Sequence, residues 1–459
     1  MMKMKMVRNK TAAAAAAICA LFMLGSCAAG DILNNLPGEN ATELYDSTAV
    51  SETPEPAPNS NADAPAETVS TDAAPDSAAA TSADMSAQDS SLADSSSLAE
   101  ERVVAVSAPP NSFSAEFFLE GETDAVRESY RKLFEGIFNY QSVIEFPEKA
   151  IDAEQIEDMI NFVLKTGSVL DLPASRYEVL VDSEQFVTKV NLSYHHSFKE
   201  GAAMYDTLMQ KVDEIVKESE PLLTEYDKIK YFHDTIINGC VYDETAPDAH
   251  TAYGVLCGGR GVCDGYVKAF QLLCEKANIS AIPVSGKVTN DPTVTDDHMW
   301  NKVRCDDQWY NIDVTWDDPK GDTQVLRYDY FLVDDSVTAR ALQPIENRYM
   351  NTPASTAQNG DYYTRNDLVI GYDSDVNSRF ESLITSQMTE NWSDIAVDMR
   401  CEDKGIYDSI FQTYFAEQAD GSKGFGTFLQ EYMAPGEALR YTFSNSDTVY
   451  TYHITISKG

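Results

Sequence analysis

The stretch GGRGVCDGYVKAFQLLCEKA, residues 258–277, decides the fold of this chain. After Cys263, apolar residues recur at the spacing of one helical face, which predicts an amphipathic or largely buried helix over 264–277. The thiol would then lie at the first turn, where partial positive charge and unpaired N–H groups favour thiolate and can hold an oxyanion. The glycines before it would let a substrate backbone approach closely. The ordinary alternative is a small core cysteine.

A second stretch, DDHMWNKVRCDDQWYNIDVTWDD at residues 296–318, is predicted to form a β-hairpin. Its two halves alternate in polarity around a turn at Asp306–Asp307. A two-residue turn would set Trp300 opposite Asp313 and would place His298 diagonally beside Asp313 on one face. We expect that face to be partly open and functional, because the other face carries the apolar residues that would fill a core.

Cys263, His298 and Asp313 form a candidate nucleophile, base and orienting carboxylate. Each has an ordinary alternative when taken alone: a core cysteine, a polar strand residue and a surface acid. A thiolate nucleophile needs a base, and that base needs a group that holds its ring. The three residue types in one contiguous segment therefore predict acyl-transfer chemistry.

These stretches resemble the transglutaminase-like superfamily, whose pattern joins a Gly-x-Cys-x-Gly-Tyr segment to His-Ala-Trp-Asn and Trp-Tyr-x-x-Asp-x-Thr-Trp segments. The clear resemblance covers about residues 225–335, and Met299 departs from it where the family usually has Ala. The resemblance implies an α+β fold with a papain-like core, in which a helix bearing the cysteine packs on an antiparallel sheet bearing the histidine and aspartate. It assigns Cys263 as nucleophile, His298 as base and Asp313 as the orienting acid.

The implied reaction passes through a thioester on Cys263, released by water in a peptidase or amidase and by an amine in a crosslinking enzyme. The backbone N–H of Cys263 is one expected oxyanion donor. Tyr253 is a candidate for a second donor, although a core tyrosine is the alternative. Trp300 and Trp316 are candidates, with Trp309, to line a substrate cleft or to fill the core.

The N-terminus has the layout of a secretion signal, with a basic start and an apolar run too short to span a bilayer comfortably. The run ends in Leu24-Gly25-Ser26-Cys27, which resembles a bacterial lipobox and implies that Cys27 becomes the lipid-bearing mature N-terminus. An ordinary signal peptide with a chance cysteine is the alternative. The lipoprotein interpretation predicts an extracytoplasmic protein anchored to the plasma or the outer membrane.

The composition of residues 28–101, which follow the signal-like segment, differs from that of the rest of the chain. Residues 28–101 contain no Lys or Arg and are rich in Ala, Ser, Asp and Pro, so they cannot bury enough apolar surface to fold. We expect a disordered acidic tether there. The formal net charge of the whole chain is −40 at pH 7, which argues against a nucleic-acid partner.

The sequence divides into five predicted segments. They are a lipoprotein signal peptide at 1–26, the tether at 27–112, an N-terminal α/β extension at 113–224, a transglutaminase-like catalytic core at 225–345 and a small C-terminal α+β domain at 360–459.

No cofactor and no metal site are expected. Asp317, Asp318 and Asp322 have the hard oxygen ligands that suit calcium, but they lack a recognisable ligand loop, so a solvated turn is the preferred interpretation. The six cysteines after the tether match no zinc spacing and are expected to be mostly reduced and buried.

The predicted function is a membrane-tethered cysteine acyl-hydrolase or acyltransferase that acts on peptide or glutamine amide bonds. Its substrates would be peptides, proteins or the peptide part of the cell wall. The alternative is a binding or scaffold lipoprotein that keeps the fold without turnover.

Overall fold

The computed structural model describes most of the chain from residue 112 onward. The described ranges are 112–171, 176–293, 297–318, 326–389, 392–416, 424–433 and 438–458, with the backbone of three short N-terminal strands. Cys27, Asp322 and most of the predicted signal peptide and tether lie outside the described residues, and the statements about them remain predictions. Within the described ranges, no helix has both the length and the apolar character needed to cross a membrane.

Helices and strands are numbered here in chain order. The helices are α1 (Phe113–Leu119), α2 (Asp124–Phe138), α3 (Ile156–Thr166), α4 (Phe198–Ser219), α5 (Glu225–Gly239), α6 (Ala252–Leu256), α7 (Cys263–Lys276), α8 (Asp335–Thr338), α9 (Tyr362–Arg365), α10 (Val376–Thr385), α11 (Lys404–Ile410, extended by a π-helical turn at Phe411–Phe415) and α12 (Gly424–Gln430). The strands are β1 (Lys3–Arg8), β2 (Phe22–Met23), β3 (Ala41–Asp46), β4 (Val143–Glu145), β5 (Arg176–Val181), β6 (Val187–Asn191), β7 (Val241–Tyr242), β8 (Arg260–Gly261), β9 (Ala281–Val288), β10 (Asp297–Cys305), β11 (Gln308–Ile312), β12 (Leu342–Pro344), β13 (Val369–Ile370), β14 (Asp394–Cys401), β15 (Ala438–Ser446) and β16 (Thr451–Lys458).

The N-terminal region packs α1, α2 and α3 against a sheet of strand order β2-β1-β5-β6-β4. Helix α2 begins at Thr123, whose hydroxyl accepts a hydrogen bond from the N–H of Val126 and so satisfies a first-turn donor. Its apolar stripe, including Tyr130 and Leu133, is fully buried against α3 and the sheet. This region supplies one wall of the cavity described below.

The central region packs α4, α5, α6 and α7 against a sheet of strand order β11-β10-β9-β12. Helix α7 is buried at nearly every position from Cys263 to Cys274, which confirms the predicted buried helix. Asn301 of β10 donates from Nδ2 to the carbonyl of Val267 at 3.3 Å and ties the sheet to the first turns of α7. The sheet thereby holds β10 beside the start of that helix.

The predicted hairpin is formed by β10 and β11, and its register is the predicted one, with Cys305 facing Gln308. Asp306 and Asp307 make the turn with φ values of 50° and 63°. Positive φ at both positions defines a type I′ turn, whose twist matches that of the flanking strands. Strand β11 ends at Ile312, so Asp313 lies one residue beyond the ladder.

The C-terminal region forms a sheet of strand order β13-β14-β16-β15-β3, packed against α10, α11 and α12 around its own apolar core. The predicted final strand pair is present as β15 and β16. Their hairpin tip reaches the central region, because Arg340 donates from Nη1 to the carbonyl of Thr448 at 3.3 Å. Arg340 also lies over the ring of Tyr450, with its guanidinium carbon 4.3 Å from the ring centre.

Mostly antiparallel sheets with separate helical layers make this an α+β fold, as predicted. Strand β3 lies within the predicted tether, and β1 and β2 lie within the predicted signal peptide. No disulfide joins the cysteines of the described residues, and all but Cys257 are buried.

Candidate active site

Cys263 is the first residue of α7 and has no exposed surface. The preceding residue, Val262, is the N-cap and provides no side-chain hydrogen bond, so the first-turn N–H groups of α7 are not capped by that side chain. These groups are the expected oxyanion donors. The helix start thus places a sulfur atom and a set of backbone donors at one point.

The glycines around Cys263 serve packing rather than substrate approach. A Cβ on Gly261 would overlap the side chain of Val255 in α6, and one on Gly265 would overlap the carbonyl of Ala249. Gly259 has a φ of +66°, which glycine adopts without strain. The expectation that the glycines open a path for a substrate backbone is therefore wrong, because protein atoms fill those spaces.

His298 and Asp313 form a short, buried hydrogen bond. His298 Nε2 lies 2.6 Å from Asp313 Oδ2, and each side chain is only 1% exposed. The thiol of Cys263 forms a further side-chain hydrogen bond with His298. Because Nε2 is engaged by Asp313, Nδ1 is the nitrogen that remains for the sulfur. The structure therefore brings the three predicted residues together in the order sulfur, imidazole, carboxylate.

The charge state of His298 follows from this arrangement. Burial disfavours the imidazolium, but the negative charge and hydrogen bond of Asp313, with a smaller contribution from Cys263, outweigh it and raise the pKa of His298 to about 10. The imidazole is therefore protonated at neutral pH. A buried imidazolium beside a thiol favours the thiolate form of that thiol.

Two tryptophans hold the imidazole ring. Trp316 stacks on His298 with ring centres 4.8 Å apart and planes inclined by 19°, and Trp300 stacks at 6.3 Å and 17°. Trp300 is fixed in turn, because its Nε1–H donates to Asn311 Oδ1 at 3.0 Å. Trp309, the third candidate for a cleft wall, instead packs on Phe117 of the N-terminal region. Two of the three tryptophans thus belong to the site.

A turn after β11 positions Asp313. Its N–H donates to the carbonyl of Tyr330, and its Oδ1 accepts from the N–H of Trp316 at 3.1 Å. The predicted pairing of Asp313 with Trp300 across the ladder is therefore absent from the register of the two strands. The N–H of Asp317 returns to the carbonyl of Asp313, so a single helical turn replaces the expected strand.

A second buried His–Asp pair anchors that turn. His233 Nε2 on α5 lies 3.2 Å from Asp317 Oδ2, and both side chains have no exposed surface. Asp317 Oδ1 accepts from the N–H of Tyr330 at 2.9 Å. Asp318 accepts from the hydroxyl of Tyr266. The solvated turn expected here is wrong, because Asp317 is fully buried, Asp318 is partly buried, and each carboxylate has a protein donor.

The sheet face that bears His298 is closed as well. Lys302 is 4% exposed, and its ammonium donates to Asp335 Oδ1 at 2.7 Å and to the carbonyl of Pro353 at 2.6 Å. Asn311 donates to the same Asp335 oxygen at 2.8 Å. The predicted open face is therefore wrong, since the segment after residue 326 buries Lys302 in an ion pair with the half-exposed Asp335.

The C-terminal region contributes to the apolar cluster that buries Cys263. Val449, at the tip of the β15–β16 hairpin, is fully buried in one apolar cluster with Cys263, Met299, Trp300 and Trp316. This hairpin tip, residues 447–450, is the contact that sequence reasoning missed. Because the tip is far from Cys263 along the chain, no local sequence pattern indicates that it joins this cluster.

The proposed oxyanion residue Tyr253 lies in a different environment from Cys263. It belongs to α6, packs with the helical cluster of the central region and lines a small cavity with Phe138 and Phe198. Tyr242 of β7 packs against the apolar cluster that contains Cys263. A role for Tyr253 thus gains no geometric support, and the tyrosines of the cluster around Cys263 are Tyr330 and, at its edge, Tyr242.

A cavity of about 820 Å³ flanks the site. We call it the flanking cavity; its walls are residues of α3 between 157 and 165, the segment 246–251, Asp264 and Lys268 of α7, residues 283–285 of β9, and the segment 344–352. It reaches Asp264 and Met299, which adjoin Cys263 and His298 in the chain. The lining includes these chain neighbours of Cys263 and His298 but not the two residues themselves.

One side-chain group in this wall has metal-ligand chemistry. Potential ligand atoms of Asp171, His196 and Asp248 lie within 4.8 Å of one another. The two carboxylates face opposite nitrogens of the imidazole, with Asp171 at Nδ1 (2.9 Å) and Asp248 at Nε2 (3.6 Å). A metal ion would bind through one nitrogen with its oxygen ligands on the same side. This arrangement fits an imidazolium held between two acids better than a metal site.

Residues 212–314 match the sequence model of the transglutaminase-like superfamily. This part of the chain is a transglutaminase-like domain. The matched residues include Cys263, His298 and Asp313. No curated protein matches the chain.

Several solved structures resemble parts of the chain. A TGase crystal structure shares 15% identity at a TM-score of 0.21, covering 31% of this chain and 51% of that one. A proposed cysteine protease from Cytophaga hutchinsonii shares 18% identity at a TM-score of 0.23, covering 34% and 45%. A crystal structure of menin shares 14% at a TM-score of 0.20, covering 51% and 44%. The chain spans about half the length of these structures, and overlap this weak supports no conclusion about function.

Proposed function

We propose that the protein is an extracytoplasmic cysteine acyl-hydrolase or acyltransferase, tethered to a membrane through lipid on Cys27. One observation carries the catalytic part: Cys263 hydrogen-bonds His298, whose other nitrogen lies 2.6 Å from Asp313. The tether rests on the lipobox-like Leu24–Cys27 segment. Peptide bonds and glutamine side-chain amides are the proposed substrates, in proteins or in the peptides of the cell wall.

The proposed first half-reaction forms a thioester. The Cys263 thiolate attacks the carbonyl carbon of the amide, and the first-turn N–H groups of α7 stabilise the oxyanion. The C–N bond then breaks, and the imidazolium of His298 gives its proton to the departing amine. Asp313 keeps the ring oriented and stabilises its charged form. The pKa of His298, raised to about 10, supports its role as the proton donor.

The second half-reaction returns the thiolate. Water or an amine gives a proton to His298 as it attacks the thioester carbonyl, and the C–S bond breaks. Water yields a hydrolase, and a substrate amine yields a new amide. Both outcomes use the same three residues.

Selective labelling of Cys263 tests this proposal. Burial raises the pKa of Cys240 and of Cys305 to about 12 and that of Cys274 well above its usual range, so these thiols stay protonated at pH 7.5. Among the buried thiols, iodoacetamide should therefore modify Cys263 first in the wild type, whenever the site opens, and His298→Ala should suppress that reaction. Peptide mapping by mass spectrometry gives the rates, with Cys274 as the internal control. Equal labelling of all six thiols would contradict the proposal.

A binding or scaffold role without turnover is the second candidate. The observation that favours it is the complete burial of Cys263 under the hairpin tip. Envelope extract incubated with wild type and with Cys263→Ala separates the two functions. Cleaved, deamidated or crosslinked peptides that appear only with the wild type support the enzyme. Partner capture that is unchanged in Cys263→Ala, with no altered peptides, supports the scaffold.

A further inference from the structure

The flanking cavity has an acidic lining. Seven carboxylates face it against two lysines, Lys165 and Lys268. Burial and the neighbouring charge of Asp158 raise the pKa of Glu157, which shows that negative charges crowd this wall. A cavity whose lining carries an excess of one sign of charge, and which is partly screened from solvent, concentrates ligands of the opposite sign.

Three of these carboxylates already face a histidine. The carboxylates that remain define a smaller acidic edge of the cavity. Asp171 and Asp248 face His196, and Asp264 faces His250 at 2.8 Å. The remaining acidic edge includes Glu157 and Asp158 on α3 and Glu346 after β12, so two parts of the cavity wall contribute to it. Of these, Asp158 accepts one long hydrogen bond, from the amide of Asn347 at 3.4 Å.

Lys268 does not neutralise that edge. Its ammonium is 2% exposed and donates to the carbonyl of His250 at 2.9 Å. Burial lowers the pKa of Lys268. It lies on α7, whereas Glu157 and Asp158 lie on α3.

Ser285 provides an independent observation that points to a ligand. Its side chain is 8% exposed and lines the flanking cavity, and its hydroxyl has no hydrogen-bond partner. A buried hydroxyl without a partner carries an unfavourable free energy that a bound polar group removes. Ser285 pairs with Met299 across β9 and β10, so the hydroxyl lies one strand position from His298.

We propose that the flanking cavity binds a peptide segment bearing a primary ammonium group, such as a lysine side chain, with the ammonium at Glu157, Asp158 and Glu346 and a peptide polar group at Ser285. The cavity extends from that acidic edge to Asp264 and Met299. A peptide bound along it would lead its amide towards Cys263. The inference deepens the proposed function, on which it rests for the fate of that amide but not for the binding itself.

Peptide binding to the full chain carrying Cys263→Ala tests the inference without turnover. The probes are three fluorescein-labelled octapeptide pools with the same random flanks and a central lysine, acetyl-lysine or glutamate. Fluorescence anisotropy should give about tenfold tighter binding of the lysine pool than of the acetyl-lysine pool, as for partly desolvated ion pairs. The preference should shrink in 0.5 M NaCl, where charges are screened within a few ångströms.

Substitutions in the flanking cavity test whether the preference for the lysine pool arises there. Glu157→Gln with Asp158→Asn should remove most of the lysine preference, whereas Glu120→Gln with Glu220→Gln, two exposed acids elsewhere, should keep it. Ser285→Ala should weaken all three pools about equally, by roughly threefold to tenfold. Circular dichroism checks that each variant is folded.

The possible outcomes separate this inference from the proposed function. Equal binding of the lysine and acetyl-lysine pools, tighter binding of the glutamate pool, or a preference that survives the cavity variants would overturn the inference. A lysine preference in a protein that alters no substrate would leave it standing while the enzymatic proposal failed. Turnover without any charge preference would overturn the inference and leave the enzymatic proposal standing.

Discussion

The imidazole Nε2 of His298 lies 2.6 Å from the Oδ2 of Asp313, and both side chains are sealed from solvent. Neither group has water to stabilise its charge, so each depends on the other. This dependence makes the pair sensitive to substitution and to pH in ways that a surface pair is not.

Asp313→Asn should remove the acid that keeps His298 charged. The amide has a similar size, but it cannot balance an imidazolium, so the pKa of His298 should fall far below 10. We expect loss of amide cleavage or amine incorporation by about 10³–10⁴-fold, the scale seen when a triad carboxylate is replaced. Steady-state rates measure the loss, and an NMR titration of His298 measures the pKa. A variant with normal activity would contradict the orienting role.

The stability of the protein should fall with rising pH above neutrality through His298. Its folded pKa of about 10 exceeds the ordinary value of 6.5, so the folded state binds more protons between these limits. The stabilisation is fully present below pH 6.5 and is lost as the pH rises through about 10. Urea unfolding of wild type and His298→Gln should show a difference that shrinks over this window. A difference that grows with pH would reverse the assigned sign.

His233→Ala should destabilise the protein strongly, because it leaves the carboxylate of Asp317 buried without its partner. The expected loss in the free energy of unfolding is about 3–5 kcal/mol. Arg131→Ala is the matched control: its pairs with Glu128 and Glu135 are exposed, and their loss should matter by less than about 1 kcal/mol. Urea titrations of both variants decide the comparison, and equal small losses would argue against the anchoring role of His233.

The hairpin turn offers a prediction about backbone strain. Asp307 has a φ of 63°, a conformation that disfavours side-chain-bearing residues by about 1–2 kcal/mol relative to glycine. Asp307→Gly should therefore raise the free energy of unfolding, although it removes the exposed contact with Arg304. Asp307→Val should lower it, because a β-branched residue resists positive φ. If both variants lose stability equally, the turn is not the type I′ turn described here.

Val449→Ala should expose Cys263 more often. Removing two buried methyl-sized groups destabilises the closed hairpin tip by about 1–2 kcal/mol, which corresponds to about 5–30 times more of the open state. Iodoacetamide labelling of Cys263 should accelerate by that factor. Val397→Ala makes the same change in the C-terminal core, away from the site, and should leave the rate near that of wild type. Equal acceleration by both variants would indicate general unfolding instead.

Local patterns predicted the elements of the site, whereas distant contacts decided its surroundings. The spacing after Cys263 predicted α7, and the two-residue turn predicted that Cys305 faces Gln308. Strand parity predicted the contact between His298 and Asp313, although a turn after β11, not the ladder, makes it. These features depend on neighbours in the chain, which periodicity reports directly.

The closure of the site could not be predicted from those patterns. Strand β11 stops at Ile312 because Asp317 is held by His233, a residue on α5 far earlier in the chain. The covering groups Asp335 and Val449 likewise come from later segments. The sequence shows whether each of these positions is polar or apolar, but it does not show which distant residue buries it.

The burial of Cys263 beneath Val449 also has a chemical consequence for its survival. Oxidation of a cysteine to sulfenic, sulfinic or sulfonic acid increases with thiolate character and with access. A site that favours thiolate would therefore be vulnerable to peroxide, above all in the proposed extracytoplasmic location, where reducing systems are scarce. The hairpin tip keeps dissolved oxidants from the sulfur, so the resting protein should tolerate peroxide, and damage should accumulate only while the cover is displaced.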